Sequence, residues 1–103
     1  MRRGELWTIT DHDAVVVVSS NRLHENDFPI TYTIPLHVEA PKGLEPPYVV
    51  RFTPSATGLE LETWAHAYAL KTVRTTELNQ RLGILTDKAV RLVDDALRDL
   101  FQL

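Results

Sequence analysis

The sequence predicts a mainly β fold that ends in one helix. Short segments rich in β-branched and aromatic residues recur over residues 1–73, separated by polar or proline-containing turns, a spacing typical of a small barrel or sandwich. Residues 86–102 instead carry apolar side chains at helical spacing. A chain of 103 residues can build one modest core, so we expect a single domain over residues 1–103.

Two strands are expected near the N-terminus. Side chains alternate with a period of two over Glu5–Thr10, and the polar turn Asp11–Asp13 follows. The unbroken apolar run Ala14–Val18 predicts a strand that is covered on both faces and is therefore central in the sheet. The polar segment 19–27 should form a surface loop.

Three further strands are expected downstream, over Thr31–Val38, Tyr48–Thr53 and Leu59–Leu70. Pro35 lacks the N–H that a β-ladder needs, which places the first of these strands at an edge or beside a bulge. Segment 40–47 contains three of the six prolines and should connect elements, and segment 54–58 should be a turn.

The C-terminal segment gives the clearest local signal. Thr86 is a favourable N-cap, and Asp87 places a carboxylate at the positive end of the helix dipole. One stripe of the helix is apolar, and its outer face offers two ion pairs at i,i+4 spacing. The stripe consists of Val90, Val93, Leu97, Leu100 and Phe101, and the pairs are Asp87/Arg91 and Asp94/Arg98.

Composition excludes several classes of function. The chain has no Cys, which rules out disulfides, thiolate metal sites and cysteine nucleophiles and is typical of a reducing cytoplasm. Eleven Lys and Arg against fourteen Asp and Glu give a net charge of −3, so binding to nucleic acid should be local and should not coat a duplex. No export signal or membrane-spanning run is visible, so we expect a cytoplasmic location and no membrane contact.

The four histidines are the first candidates for proton transfer near neutral pH. His12 lies in a turn between two aspartates, and His37 lies on the polar face of a strand; a solvated turn and an exposed edge residue are the alternatives. His24 falls in a polar loop, and His66 is expected at the margin of the core or at an interface. Without metal-ligand spacing, a glycine-rich phosphate loop or a nucleophile elbow, neither metal nor cofactor is expected.

Basic residues are interleaved in sequence with aromatic ones. Arg22, Arg51 and Lys71 are dispersed along the chain together with Phe52 and Trp64. Guanidinium groups and aromatic faces are what single-stranded nucleic acid needs, because phosphates take the charge and bases stack. The alternative is an ordinary solvated surface whose charges are ion-paired.

The order of five short segments resembles the MazF/PemK toxin family over nearly the whole chain. The segments are Met1-Arg2-Arg3-Gly4-Glu5-Leu6-Trp7, Val15–Val18 ending at Asn21, Thr33-Ile34-Pro35-Leu36, Thr63-Trp64 through Lys71-Thr72-Val73, and Arg81-Leu82-Gly83-Ile84-Leu85-Thr86-Asp87 with the following helix. The resemblance implies a small SH3-like β-barrel with a C-terminal helix, usually a homodimer. It also implies a metal-independent endoribonuclease that cuts single-stranded RNA and is restrained by a cognate antitoxin.

The chain departs from that family at the positions that carry its chemistry. Ala14-Val15 stands where the family has an Arg-Pro pair, and His37 stands where it has a Thr. We therefore expect an altered site in which His37 and His12 transfer protons, with the short first loop bringing His12 near the third strand. Arg3, Arg22, Arg51 and Lys71 are the expected RNA-binding residues.

Two other functions remain open at this point. One is the role of the related CcdB toxins, which share the Ile-Pro-Leu segment and bind DNA gyrase; their carboxyl-terminal Trp-Gly-Ile is replaced here by Phe101-Gln102-Leu103. The other is a catalytically inactive barrel of this fold that only binds a partner.

Overall fold

The computed structural model describes residues 1–9, 13–40, 42–43 and 48–102. In this part of the chain, seven strands form one antiparallel sheet, so the predicted mainly β architecture with a C-terminal helix is confirmed. The strands are β1 (Glu5–Thr8), β2 (Ala14–Val17), β3 (Ile30–His37), β4 (Val49–Phe52), β5 (Thr63–His66), β6 (Lys71–Arg74) and β7 (Gln80–Ile84). The helices are α1 (Asn21–Glu25), α2 (Pro54–Thr57) and α3 (Asp87–Phe101), and 3₁₀ turns occupy Ala67–Ala69 and Thr75–Glu77.

The sheet has the order β4-β5-β3-β2-β1-β7, with β6 also paired to β3. Within the described residues β4 and β7 share no ladder, so the barrel is open there. Helix α2 lies across this opening: the Thr86 N–H donates to the Ala56 carbonyl at 3.0 Å. A Cβ on Gly83 would lie 3.0 Å from the Thr57 carbonyl oxygen, so only glycine allows β7 to come this close to α2.

Strand β3 is central in the sheet, and its expected edge position is wrong. It pairs with β2 on one side and with both β5 and β6 on the other. The partner changes from β6 at Thr33 to β5 at Leu36, and the 3₁₀ turn Ala67–Ala69 is inserted between these two partners. Pro35 lies beside this change of partner, so its missing N–H falls where the ladder on that side of β3 is interrupted.

Several local predictions are corrected by pairing that is distant in sequence. The expected strand Leu59–Leu70 contains only β5, because the 3₁₀ turn ends it. Segment 19–27 contains α1, which is capped by the Ser20 hydroxyl accepting from the Arg22 N–H. Strands β6 and β7 were not predicted, because their many polar residues give no alternating pattern. Strand β2 is covered on both faces, as its valine run predicted.

Helix α3 covers the inner face of the sheet. Its N-cap is confirmed, since the Thr86 hydroxyl accepts from the Ala89 N–H at 3.3 Å. The core combines one stripe of the helix with inward side chains of five strands, among them Ala89, Val93, Ala96, Leu6, Val16, Ile34, Val50, Phe52 and Ala65. The expected Asp94/Arg98 pair is wrong: Asp94 pairs with Arg3, and Arg98 lies 3.9 Å from Asp95. None of the described helices is long and apolar enough to span a membrane.

Candidate functional site

A pocket of about 470 Å³ opens where β3 ends and β2 begins. Its charged and imidazole side chains come from three parts of the chain: Asp13 precedes β2, His37 ends β3, and Lys71 begins β6. Both His37 and Lys71 are exposed, and Lys71 forms no ion pair within the described residues. An imidazole and a free ammonium group therefore border the same cavity.

The positions that the resemblance marks as departures from the family pattern meet at this pocket. Ala14 and Val15 line it together with His37. The register explains the proximity, because Ala14 pairs with Leu36 and Val15 pairs with Pro35. Two small apolar residues and a histidine therefore border the same cavity.

His37 also contacts His66, a residue that the sequence placed at the core margin or an interface. Their ring centroids are 4.2 Å apart and the ring planes are inclined by 50°. The contact follows from the β3–β5 register: His37 lies opposite Trp64, and His66, two residues further along β5, points to the same face. The His66 Nδ1 lies 3.2 Å from the Tyr68 hydroxyl, so the three side chains form a continuous row.

His66 lies in an environment that disfavours its charged form. Burial lowers the pKa of His66, and the nearby His37 lowers it further. Its Nε2 atom is buried and has no hydrogen-bond partner among the described residues. His66 is therefore held as a neutral imidazole at neutral pH, whereas His37 is open to solvent.

Arg51 lies on the same face of the sheet as His37. Trp64 is paired with His37 on one side and with Arg51 on the other, so Trp64 stands between a cation and an imidazole. Two strand spacings separate the backbones of Arg51 and His37, about 10 Å. Arg51 is not free, because two of its N–H groups meet both carboxylate oxygens of Glu62, with Nη2 and Oε2 3.0 Å apart.

The other predicted site residues lie apart from the pocket or outside the described residues. Arg22 is exposed on α1. Arg3 is half-buried, donates from Nε to the Val18 carbonyl at 2.9 Å and pairs with Asp94. His12 lies outside the residues that the structure describes, although Asp13, which follows it, lines the pocket. The structure thus places His37 and Lys71 on one pocket, with Arg51 two strands away, and the roles of all six residues stay predictions.

Tyr68 is a candidate functional residue that the sequence did not single out, and His66, one of the four histidine candidates, was not assigned to the site of His37. Alternation along β5 places His66 on the Trp64 face, but only the pairing register with β3 brings it against His37. No group of three or more His, Asp or Glu side chains that could hold a metal ion is found in the described part of the chain.

Comparison with known proteins identifies a family and a fold. A family model described as a PemK-like, MazF-like toxin of type II toxin–antitoxin systems matches residues 2–101. The structure is similar to an endoribonuclease from a mycobacterial species, with a TM-score of 0.85, 20% identity and coverage of 100% of this chain and 92% of that chain. For a mycobacterial endoribonuclease in complex with its cognate antitoxin, the TM-score is 0.81 at 20% identity, covering 100% and 94% of the two chains. A chain of the MazE–MazF structure from Deinococcus radiodurans has a TM-score of 0.78 at 16% identity, and the match covers 100% of this chain and 97% of that chain. No curated protein matches the sequence.

Proposed function

The chain belongs to the PemK-like, MazF-like toxin family of type II toxin–antitoxin systems, and we propose that it is an endoribonuclease toxin that cleaves single-stranded RNA, such as mRNA, without a metal ion. The observation that carries this proposal is the pocket in which His37 and Lys71 come together beside Ala14 and Val15. Proton transfer and charge stabilisation are thereby available in one place, although the residues differ from the family pattern.

The proposed reaction is attack by the ribose 2′-hydroxyl on the adjacent phosphorus. A base removes the 2′-hydroxyl proton, the O2′–P bond forms, and the P–O5′ bond breaks as an acid gives a proton to O5′. The products are a 2′,3′-cyclic phosphate and a 5′-hydroxyl end. We assign the two proton transfers to His37 and His12. The Lys71 ammonium stabilises the negative charge that develops on the phosphorane oxygens.

The row Arg51–Trp64–His37 supports a single strand as the substrate. A base stacked on the half-buried Trp64 ring would place neighbouring phosphates toward Arg51 on one side and His37 on the other. Such stacking needs an unpaired base, so it does not require contact with the groove of a duplex. It is compatible with the net charge of −3, because a few local cations are enough to bind the phosphates of a short single strand. Arg3 and Arg22 lie off this face and would bind RNA only beyond the pocket.

We further propose a cognate antitoxin and a second copy of the chain as protein partners. The antitoxin is supported by the similar mycobacterial endoribonuclease, whose structure contains one. A homodimer is supported by large apolar side chains left exposed, including Phe28, Tyr32, Ile84 and Phe101. Such a toxin would act on RNA in the bacterial cytoplasm.

The test is cleavage of a set of single-stranded RNAs by the purified chain with a chelator present. Wild type should cut, His37→Ala should lower kcat by about 100-fold or more, and Lys71→Met should lower kcat/KM. Arg91→Ala, an exposed change on α3, is the matched control and should behave as wild type. Full activity of both pocket variants would contradict the site, and a wild-type chain that cuts no RNA would contradict the function and favour a binding role such as gyrase inhibition.

A further inference from the structure

The His66 ring contacts the ring of His37. His66 is not among the residues that line the pocket, and its buried Nε2 has no hydrogen-bond partner among the described residues. Its Nδ1 lies 3.2 Å from the Tyr68 hydroxyl, a hydrogen bond that restricts rotation of the ring. His66 thus gives a restrained ring as a contact to His37, which is an exposed side chain at the end of a strand.

Two imidazoles in contact cannot both be charged without cost. Burial and the neighbouring His37 both lower the pKa of His66, so the His66 ring favours its neutral form.

Building on the proposed ribonuclease function, we propose that His66 is a positioning residue for His37. The His66 ring fixes the orientation of His37 toward the pocket through the contact between the two rings, so that the His37 imidazole can exchange a proton with the RNA. Proton transfer needs hydrogen-bond geometry at the reacting oxygen, so a freely rotating His37 would be slow even with its chemistry intact.

Other charged and titratable groups face this pair from the neighbouring strands. They are Asp13 before β2, the Arg51–Glu62 pair of β4 and the segment before β5, Lys71 of β6 and Tyr68 of the 3₁₀ turn. The variants that test the proposal therefore change His66 alone and leave these groups in place.

Two substitutions separate the ring contact with His37 from the ionisation of His66. His66→Ala removes both. His66→Phe keeps a ring in contact with His37 and loses the hydrogen bond to Tyr68, whereas Nε2 has no partner among the described residues to lose. With RNA as substrate, His66→Ala should lower kcat by about 10-fold or more at unchanged KM, and His66→Phe should restore most of it. His66→Phe should also lose one ionisation on the acidic side of the kcat–pH profile. Thermal unfolding of each variant confirms that it is folded.

A second readout does not depend on cleavage. The histidine ring resonances in NMR spectra report the titration of His66, and the pKa of His66 should rise in His37→Gln, because the neighbouring positive charge is removed. Identical His66 titration in wild type and His37→Gln would overturn the proposal, as would a kcat for His66→Ala within twofold of wild type at every pH. His66→Phe as slow as His66→Ala would overturn it too. In each of these cases wild-type cleavage keeps the proposed function intact, whereas a wild-type chain that cuts no RNA contradicts both.

Discussion

The Arg3 guanidinium pairs with Asp94 and so joins the segment before β1 to helix α3, while its Nε donates to the Val18 carbonyl. The Arg3 side chain is 28% exposed and the Asp94 side chain 30%, so water screens the interaction only in part. Both contacts use a charged donor, and such bonds are worth more than neutral ones. Arg3 therefore acts as a clamp between the N-terminus, β2 and α3.

Replacement of Arg3 by Ala should destabilise the fold more than it weakens RNA binding. We expect a loss of about 1–2 kcal/mol in the free energy of unfolding, from the lost charged hydrogen bonds. Urea unfolding measures this loss, with Arg91→Ala as the exposed control on α3. A variant of unchanged stability whose RNA affinity falls several-fold would instead assign Arg3 to the RNA interface, as the sequence alone predicted.

The Arg51–Glu62 pair should restrain RNA binding. A phosphate that binds Arg51 must displace the Glu62 carboxylate, whose pKa is lowered by its hydrogen bond to Arg51. Glu62→Gln should therefore tighten binding of a noncleavable single-stranded analogue about threefold. Glu60→Gln removes the same charge from an exposed neighbour that forms no ion pair in the described residues, and it controls for net charge. If Glu62→Gln has the same effect in an Arg51→Ala background, Arg51 is not a phosphate ligand.

Acid should destabilise the fold through two histidines. Burial lowers the pKa of His24 and of His66, with the N-terminal ammonium and His37 as the respective secondary causes. The unfolded chain then binds protons more tightly than the native chain does, so stability is full well above about pH 6.5 and falls as the pH drops below that value. Thermal unfolding at several pH values should show this decline, and the double variant His24→Gln/His66→Gln should flatten it. An equally steep decline in the double variant would place the acid sensitivity elsewhere.

Position 83 should not tolerate a side chain, because β7 lies close to α2 at Gly83. A Cβ there would lie 3.0 Å from the Thr57 carbonyl oxygen, a backbone atom that cannot rotate away. Gly83→Ala should cost about 1–3 kcal/mol in the free energy of unfolding, the range found for overpacked sites. Gln80→Ala, an exposed change in the same strand, should be nearly neutral. Unchanged stability of Gly83→Ala would mean that α2 can move away from β7.

Sequence patterns predicted the elements whose cause is local. The valine run of β2 and the Thr86 N-cap of α3 each carry their own signal, and both are confirmed. Strand β7 was missed because its sequence is polar and contains Gly83, so pairing with β1 makes it a strand. The central position of β3 was also beyond local reasoning, since the broken ladder at Pro35 depends on a 3₁₀ turn far along the chain.

The same distinction applies to the candidate site. His37 and Lys71 could be selected from their chemistry, and the fold places them on one pocket. His66 could not be assigned to His37, because their contact is set by the register of two strands that are separated by β4 and α2 in the sequence. Chemistry thus selects single residues, whereas strand pairing decides which of them meet.

The most direct test of the account is the chemical nature of the cut ends. A single-stranded RNA is incubated with wild-type protein and chelator, and the products are compared with those of the same RNA carrying one 2′-deoxy nucleotide at the cut site. The account predicts 2′,3′-cyclic phosphate and 5′-hydroxyl ends from the RNA and no cut at the 2′-deoxy position, since the attacking hydroxyl is absent. Cleavage at the 2′-deoxy position, or cleavage that requires a divalent metal ion, would contradict it.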